Sequence, residues 1–303
     1  MAQYQIDVGS VIEVAIEVKA SVDRARLLAA LDALTADDPS LRYSHDVELG
    51  QTILGGQTED QLGEAVYRIT RDDGIELNIG APQVAYRERL TRAVEASYTH
   101  KKVVGPAGEF ARVSILFEPA EPNSGFAFEN SAPNDALLDA HVLGVRQGLE
   151  AARLNGIMAG FPVIDFKATL TGGAYHEQDS NSRTFEIAAR AAFLKLREAR
   201  AIELLEPVFA AEVATPDAFL GEVIGDLNRR RGQVMAVENQ YDASLIKAHV
   251  PVSNMFGYLN NLRTITRGVG TASLRLDHYE AVPRSTNDND PRFPPAAAMR
   301  MRA

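Results

Sequence analysis

The first 81 residues contain four stretches in which apolar and polar residues alternate, which is the period of a half-buried strand. Two stretches with helical periodicity are interspersed among them. The predicted strands are Val11 to Val18, Leu41 to Val47, Gln51 to Leu54 and Ile75 to Ile79, and the predicted helices run from Val22 to Leu34 and from Gly55 to about Arg71. This β-α-β-β-α-β order is typical of a ferredoxin-like domain. We therefore predict one such domain over residues 1–81.

The same order of periods returns near the end of the chain. The predicted elements are strand Val208 to Ala214, helix Thr215 to Arg230, strands Gly232 to Glu238 and Ser244 to Val250, helix Asn254 to Thr266 and strand Ala272 to Tyr279. Pro207 disfavours helix at Glu206 and marks the boundary before them. A second ferredoxin-like domain is predicted over 206–283, and the Pro-, Asn- and Asp-rich residues 284–303 are predicted to form a disordered tail.

The middle of the chain, residues 82–205, mixes both periods. Its predicted elements are strands Pro82 to Leu90, Val94 to Lys102, Phe110 to Phe117 and Phe161 to Leu170, and helices Leu137 to Gly156 and Thr184 to Leu205. Because strands and helices of this kind bury their apolar faces against each other, we expect a two-layer unit. The predicted fold class is α+β, with three α/β two-layer domains.

One polar loop separates the last strand and helix of this middle domain. Gly172 and Gly173 predict a turn with unusual dihedrals, and Asp179, Ser180 and Ser182 are candidate N-caps for the helix. Between them His176 follows Tyr175. A histidine held on a loop between two rigid elements is a candidate functional residue, because loops on rigid scaffolds commonly carry function. A solvent-facing residue without a role is the alternative.

Composition limits the class of protein. The 303 residues are 46% hydrophobic and 24% charged, which is ordinary for a globular protein of more than one domain. No apolar run approaches the roughly 20 residues of a membrane span, and a signal-peptide pattern is missing at Met1. The absence of cysteine suits a cytoplasmic protein. A net charge of −10 argues against wholesale wrapping of nucleic acid but leaves room for local contacts.

A basic cluster, Asn228-Arg229-Arg230-Arg231, ends the first helix of the last domain. Cations at a helix C-terminus interact favourably with the helix dipole, which explains one arginine without any ligand. Three in succession repel one another, so contact with phosphate is an equal alternative.

The run G-D-L-N-R-R-R-G-Q (Gly225 to Gln233), followed by Met255 to Tyr258 and Leu262 to Thr271, resembles the last domain of bacterial elongation factor G. Leu31 to Leu41 with Gly50-Gln51-Thr52 resembles that family's third domain, and Pro82 to Glu88 resembles its entry into the fourth. Ala159 to Val163, Ala174-Tyr175-His176 and Asp179-Ser180 resemble the later half of the fourth. The resemblance covers Val11 to Pro283 and implies domains III, IV and V, with domain IV folded like domain 2 of ribosomal protein S5.

The resemblance also implies a role. In that family domain IV is a rigid arm whose tip enters the ribosomal decoding region and prevents the tRNA–mRNA pair from slipping back. The implied tip residues here are Tyr175, His176, Asp179, Ser180, Arg183, Gly105, Gly108 and Glu109. The implied ribosome contacts are Lys101, Lys102, Asn228, Arg229, Arg230, Arg231, Arg263 and Arg267. The expected partners are ribosomal RNA, ribosomal proteins and the tRNA–mRNA complex. The protein is expected to act as a monomer and not to bind a membrane.

Two stretches depart from the family pattern. Relatives read approximately S-G-G-R-G-Q-Y-G-H where this chain has Val104 to Arg112, so Ala107 replaces an arginine and Glu109 a glutamine, and a carboxylate is repelled by RNA phosphates. The third-domain signature G-M-G-E-L-H-L reads Gly56 to Leu62, with Gln61 at the histidine position. These changes suggest a diverged copy, so ribosome recycling or protection against an antibiotic stays an alternative to translocation.

The nucleotide chemistry of that family needs a motif that these residues lack. Nowhere is there a G-x-x-x-x-G-K loop followed by serine or threonine to cradle phosphates. We therefore expect no catalytic residue, metal or cofactor in this chain, and GTP and Mg²⁺ only with a nucleotide-binding domain upstream. A separate alternative treats His176, Glu177 and Asp179 as the ligands or acid/base groups of a metal-dependent enzyme, although a flexible loop fixes coordination geometry poorly.

Overall fold

Residues 10–46, 51–104, 107–133, 136–240 and 242–283 are described by a computed structural model. They form two units, one of residues 10–85 together with 206–283 and the other of residues 86–205. The tail predicted over 284–303 lies outside the described residues. The predicted mixed α/β class is confirmed, since each unit contains both sheets and helices.

The first predicted pattern forms an antiparallel sheet with two helices. Its elements are β1 (Ile12–Val18), α1 (Arg24–Asp37), β2 (Arg42–Asp46), β3 (Gln51–Gly56), α2 (Glu59–Arg71), β4 (Leu77–Ile79) and β5 (Gln83–Val84). The strand order is β2-β3-β1-β4, and β5 pairs with β1. Alternate residues of β1, among them Val14 and Ile16, are buried, as are Leu27 and Leu31 of α1. The alternation therefore marks the face that carries the core.

The last predicted pattern forms a second sheet in the same unit. Its elements are β12 (Ile202–Pro216), α5 (Leu220–Arg229), β13 (Gln233–Gln240), β14 (Ala243–Pro251), α6 (Tyr258–Ile265) and β15 (Thr271–Ala281). The order is β15-β12-β14-β13. Numbered by appearance, this is the 4-1-3-2 order of the first sheet, so the repeated pattern of sequence periods reflects a repeated topology.

The middle unit consists of a four-stranded sheet, two short strands that pair with each other, and two long helices. Its elements are β6 (Arg87–Leu90), β7 (Val94–Val104), β8 (Ala107–Pro119), β9 (Phe126–Asn130), α3 (Asp139–Asn155), β10 (Val163–Ile164), β11 (Phe166–Ala174) and α4 (Ser182–Glu198). The main order is β7-β8-β11-β9, with β9 and β11 parallel. Phe117, Phe166 and Phe193 are fully buried, and the Phe117 and Phe193 ring centroids lie 5.6 Å apart. This core supports the strands β7 and β8 and the loop between β11 and α4.

The end of α4 differs from the prediction. The helix was expected to continue to Leu205, but it ends at Glu198, and Arg200 adopts a left-handed conformation with φ of 49°. Residues 202–205 pair instead with Leu90 to Arg87 of β6. Strand pairing with a segment more than 100 residues away thus overrides a helical period, and Pro207 lies within β12 rather than between two elements.

Candidate functional site

The two glycines before the predicted tip loop belong to a strand. Gly172 and Gly173 lie in β11 and have no positive φ, so the predicted turn at these residues is wrong. A β-carbon on Gly173 would come within 2.6 Å of the Arg112 carbonyl oxygen on β8. Glycine is therefore needed here for close approach of two strands, which a single sequence does not distinguish from a turn.

The helix after the loop is capped by Asn181. Its side-chain oxygen accepts a hydrogen bond from the Thr184 N–H at 3.0 Å, and the Thr184 hydroxyl oxygen accepts one from the Asn181 N–H at 3.0 Å. The expected caps Asp179, Ser180 and Ser182 are therefore wrong. Asp179 and Ser180 are engaged elsewhere, because they join this loop to the neighbouring hairpin.

That connection, here called the tip junction, comprises Gly108, Phe110, His176, Asp179 and Ser180. The Asp179 carboxylate accepts a hydrogen bond from the Gly108 N–H at 3.2 Å, and its carbonyl accepts one from the Phe110 N–H at 2.9 Å. The Ser180 hydroxyl donates to the Phe110 carbonyl at 2.6 Å and accepts from the His176 N–H at 2.9 Å. The structure thus brings two predicted tip segments together, whereas Gly105 lies outside the described residues.

The His176 side chain projects from the tip junction. It is 58% exposed, and its Nδ1 lies 3.2 Å from a carboxylate oxygen of Asp179. Among the described residues, this carboxylate is its only side-chain partner. The nearby carboxylate attracts the ring whenever the ring carries a positive charge, and the other ring nitrogen faces no side-chain partner among those residues. The site therefore presents a positioned imidazole to solvent.

Tyr175 is anchored, which differs from its expected role beside His176 at the tip. Its ring packs at 5.0 Å against His141 of α3, and His141 stacks at 4.5 Å on Phe185. Burial lowers the pKa of His141, so this ring is neutral at pH 7. The four-residue spacing of His141, Val145 and Leu149 places all three on the buried face of α3. This spacing indicates that His141 is buried, which the sequence analysis did not predict.

Glu109 is paired, although its sequence position suggested repulsion from RNA. Its carboxylate lies 2.8 Å from His100 Nε2. That hydrogen bond, with the positive charges of His100, Lys102 and Arg183, lowers the pKa of Glu109. Lys101, Lys102 and Arg183 are exposed. The acid therefore sits among cations, and its charge is partly offset.

The three successive arginines of the last domain have different surroundings. Arg231 forms two hydrogen bonds, at 2.6 and 3.2 Å, with the fully buried Glu206. Arg230 binds Asp226 at 2.9 Å and the Asn254 carbonyl at 2.7 Å. Arg229 is 76% exposed, and its guanidinium lies 3.7 Å from a carboxylate oxygen of Asp226, beyond hydrogen-bond distance. Hydrogen-bonded internal partners therefore account for two of the cluster's three charges, and its solvent-facing members are Arg229 and Asn228.

The remaining candidate contacts lie on and just after α6. Arg263 is exposed, and its guanidinium lies 3.4 Å from the Asn260 side-chain oxygen. Arg267 is also exposed, has a φ of 54° and lies 6.0 Å from the Phe219 ring centroid. Both charges face solvent.

Comparison with protein-family models covers almost the whole chain. Residues 9–81 match elongation factor G domain III, residues 82–199 match elongation factor G domain IV, and residues 203–289 match the elongation factor G C-terminus. All three matches fall in order within one family. The chain belongs to the elongation factor G family.

Individual relatives agree. The chain is 47% identical over 281 residues to elongation factor G of Anaplasma phagocytophilum (strain HZ) and 46% identical over 280 residues to that of Anaplasma marginale (strain Florida). These alignments cover 93% and 92% of this chain and 41% of each relative. A crystal structure from Thermus thermophilus matches with a TM-score of 0.68 and 35% identity, over 89% of this chain and 40% of that one. The chain thus spans about two fifths of these relatives.

The elongation factor G signature that is altered in domain III has a local explanation. Gln61 stands where the family pattern has histidine, and its amide donates to Asp38 at 2.7 Å and accepts from the Gln57 N–H at 2.8 Å. These bonds connect the start of α2 to the end of α1. Gln61 therefore has a structural role within its own domain.

In the described loop the side chains of His176, Glu177 and Asp179 do not converge as three metal ligands would. Within the described ranges, the one set of three side chains whose ligand atoms converge closely enough to hold a metal ion lies in the last domain, and it includes none of His176, Glu177 and Asp179.

Across the same ranges, no helix combines the length and apolar character needed to cross a bilayer.

Proposed function

We propose that this chain is the ribosome-engaging part of an elongation factor G-like protein, and that domain IV promotes tRNA–mRNA translocation through its tip. The proposal rests on one observation: the exposed His176 ring lies on a loop that is hydrogen-bonded, through Asp179 and Ser180, to the neighbouring hairpin. An imidazole stacks on unpaired bases and exchanges hydrogen bonds with ribose hydroxyls. A rigid tip of this kind blocks a path without bond chemistry.

Charge around the tip supports the same proposal. Lys101 and Lys102 are exposed on the tip hairpin and Arg183 is exposed at the start of α4, and phosphate contacts position a protein on RNA without reading sequence. In the last domain, the solvent-facing Arg229, Arg263 and Arg267 are proposed to meet ribosomal RNA or ribosomal proteins. We assign GTP hydrolysis in the complete gene product to a nucleotide-binding domain outside these residues, and we expect a cytoplasmic monomer.

Replacing His176 with alanine in the complete gene product tests the role of the tip. Translocation measured by rapid kinetics should slow about tenfold or more, since stacking on a base contributes about 1–3 kcal/mol. Ribosome-dependent GTP hydrolysis should stay within twofold of wild type. The matched control is Glu177→Ala on the same exposed loop, which should leave both rates unchanged. Equal translocation by the His176 variant and wild type would remove the assignment.

The tip hairpin favours one second candidate function. Glu109 stands where relatives have glutamine, and its lowered pKa keeps a negative charge beside the tip. Such a change suits a paralogue that splits or protects ribosomes. If the complete gene product splits ribosomes but does not support peptide-chain elongation, recycling replaces translocation. Elongation without splitting keeps the first proposal.

A further inference from the structure

A cluster of metal-ligating side chains lies in the last domain, in residues not used by the proposed function. His249 of β14 and Asp277 and His278 of β15 offer three ligand atoms within 4.8 Å of one another. His249 Nε2 lies 3.6 Å from a carboxylate oxygen of Asp277, and His278 Nδ1 lies 2.7 Å from the same oxygen. All three side chains are at least one-third exposed, so an ion can reach them.

The sheet explains why residues almost 30 positions apart converge. β14 and β15 flank β12 on opposite sides, and His249 pairs across the sheet with Ala210 of β12. Because register partners share a face, the small methyl group of Ala210 leaves room for a ring to lean over it. Asp277 and His278 are both exposed, which breaks the alternation that β15 follows up to Leu276. This irregularity presents two neighbouring residues to solvent.

We propose that His249, Asp277 and His278 form a binding site for a divalent transition-metal ion, of which Zn²⁺ is the best match. Two imidazoles and one carboxylate make up a donor set typical of zinc with three protein ligands, and water completes the tetrahedron. A neutral imidazole binds the ion through its unprotonated nitrogen, so the His278 proton moves from Nδ1, beside Asp277, to Nε2 when the ion binds. Zn²⁺ and protons compete for the same ring nitrogens, so binding weakens in acid.

Glu280 lies at ion-pair distance from the other nitrogen of His278 and becomes its hydrogen-bond partner when the bound ion fixes the ring. Its carboxylate lies 3.9 Å from His278 Nε2, while Nδ1 of that ring faces the proposed ion. Ligating histidines commonly donate their second N–H to a carboxylate, and loss of that partner lowers metal affinity about 10- to 100-fold. Glu280 is thus the positioning residue of the site. A bound ion links two strands that are not neighbours, and it should stabilise the last domain.

Calorimetric titration of the untagged 303-residue chain with ZnCl₂ tests the proposal. We expect one ion per chain and a raised Tm, and Co²⁺ should give the absorption of a tetrahedral site. His249→Ala and His278→Ala should each weaken Zn²⁺ binding at least 100-fold, and Glu280→Gln about tenfold. His100→Ala, which alters a histidine–carboxylate pair elsewhere, is the matched control and should bind as wild type.

Two results would overturn the site. One is the absence of stoichiometric Zn²⁺ binding at pH 7.5 by the wild-type chain. The other is unchanged binding by His249→Ala and His278→Ala, with circular dichroism confirming that both variants are folded. Loss of binding in the His100 variant as well would assign the ion to a different place. None of these results depends on ribosome activity, so the proposed function is tested separately.

Discussion

At the scale of single residues, similar side chains in one short run have different functions. Arg229 is exposed, whereas Arg231 pairs with Glu206, whose carboxylate is fully buried. The carboxylate also lies 3.4 Å from the Ser253 hydroxyl. A buried charge is costly unless it is paired and hydrogen-bonded. Arg231 therefore stabilises the domain, and Arg229 is the member of the pair available to a phosphate.

Replacement of each arginine by alanine should separate these roles. Arg231→Ala leaves Glu206 buried without its cation and should lower the free energy of unfolding by about 3 kcal/mol. Arg229→Ala should change it by less than about 0.5 kcal/mol, as is usual at exposed positions. Urea unfolding of the two variants measures both values. Equal stability of the pair would contradict the assignment of Arg231 as an internal ion-pair partner.

At the scale of elements, the contact between α3 and α4 depends on two glycines. A β-carbon on Gly144 would collide with the Ser182 carbonyl oxygen, and one on Gly148 with the Glu186 carbonyl oxygen. The four-residue spacing places both glycines on one face of α3. Ser182 begins α4, directly after the Asn181 cap, so this contact also supports the helix end that follows the tip loop.

Alanine at Gly144 should therefore loosen α3 from α4. Helix propensity alone favours alanine over glycine by about 1 kcal/mol, so a loss of stability would reveal the backbone collision. We expect faster hydrogen exchange in peptides covering α3 and the tip loop. Gly63 of α2 is the matched control, because its β-carbon would meet open space. Gly63→Ala should slow exchange in α2, and the same response at both positions would contradict the packing argument.

At the scale of the whole molecule, net charge and local cations bear on the proposed contact with the ribosome. The chain has a net charge of −10 and no G-x-x-x-x-G-K loop motif to cradle phosphates. Its exposed cations form small local groups, such as Lys101 and Lys102. Affinity for RNA that depends on a few phosphate contacts falls as salt rises. We therefore expect engagement of the ribosome to depend on surface shape together with these few cations.

The 303-residue chain should not bind GTP. Calorimetric titration with GTP and Mg²⁺ should give no saturable heat, because a nucleotide of this charge needs a loop of backbone N–H groups and a lysine to hold its phosphates. A relative carrying its nucleotide-binding domain serves as the positive control. Saturable binding to this chain with a stoichiometry near one would show that a different phosphate site exists.

The sequence by itself determined the order of strands and helices, the repeated ferredoxin-like pattern and the position of His176 on a loop. Those features depend on local periodicity and on residues adjacent in the chain. Only the tertiary structure decided that Arg231 meets Glu206, that Tyr175 is anchored on His141 and that residues 202–205 form a strand. Each of these depends on a partner at least 25 residues away, and contacts between distant residues leave no period in the sequence. The convergence of His249 with Asp277 and His278 has the same origin, since three adjacent strands of one sheet, β14, β12 and β15, place them side by side.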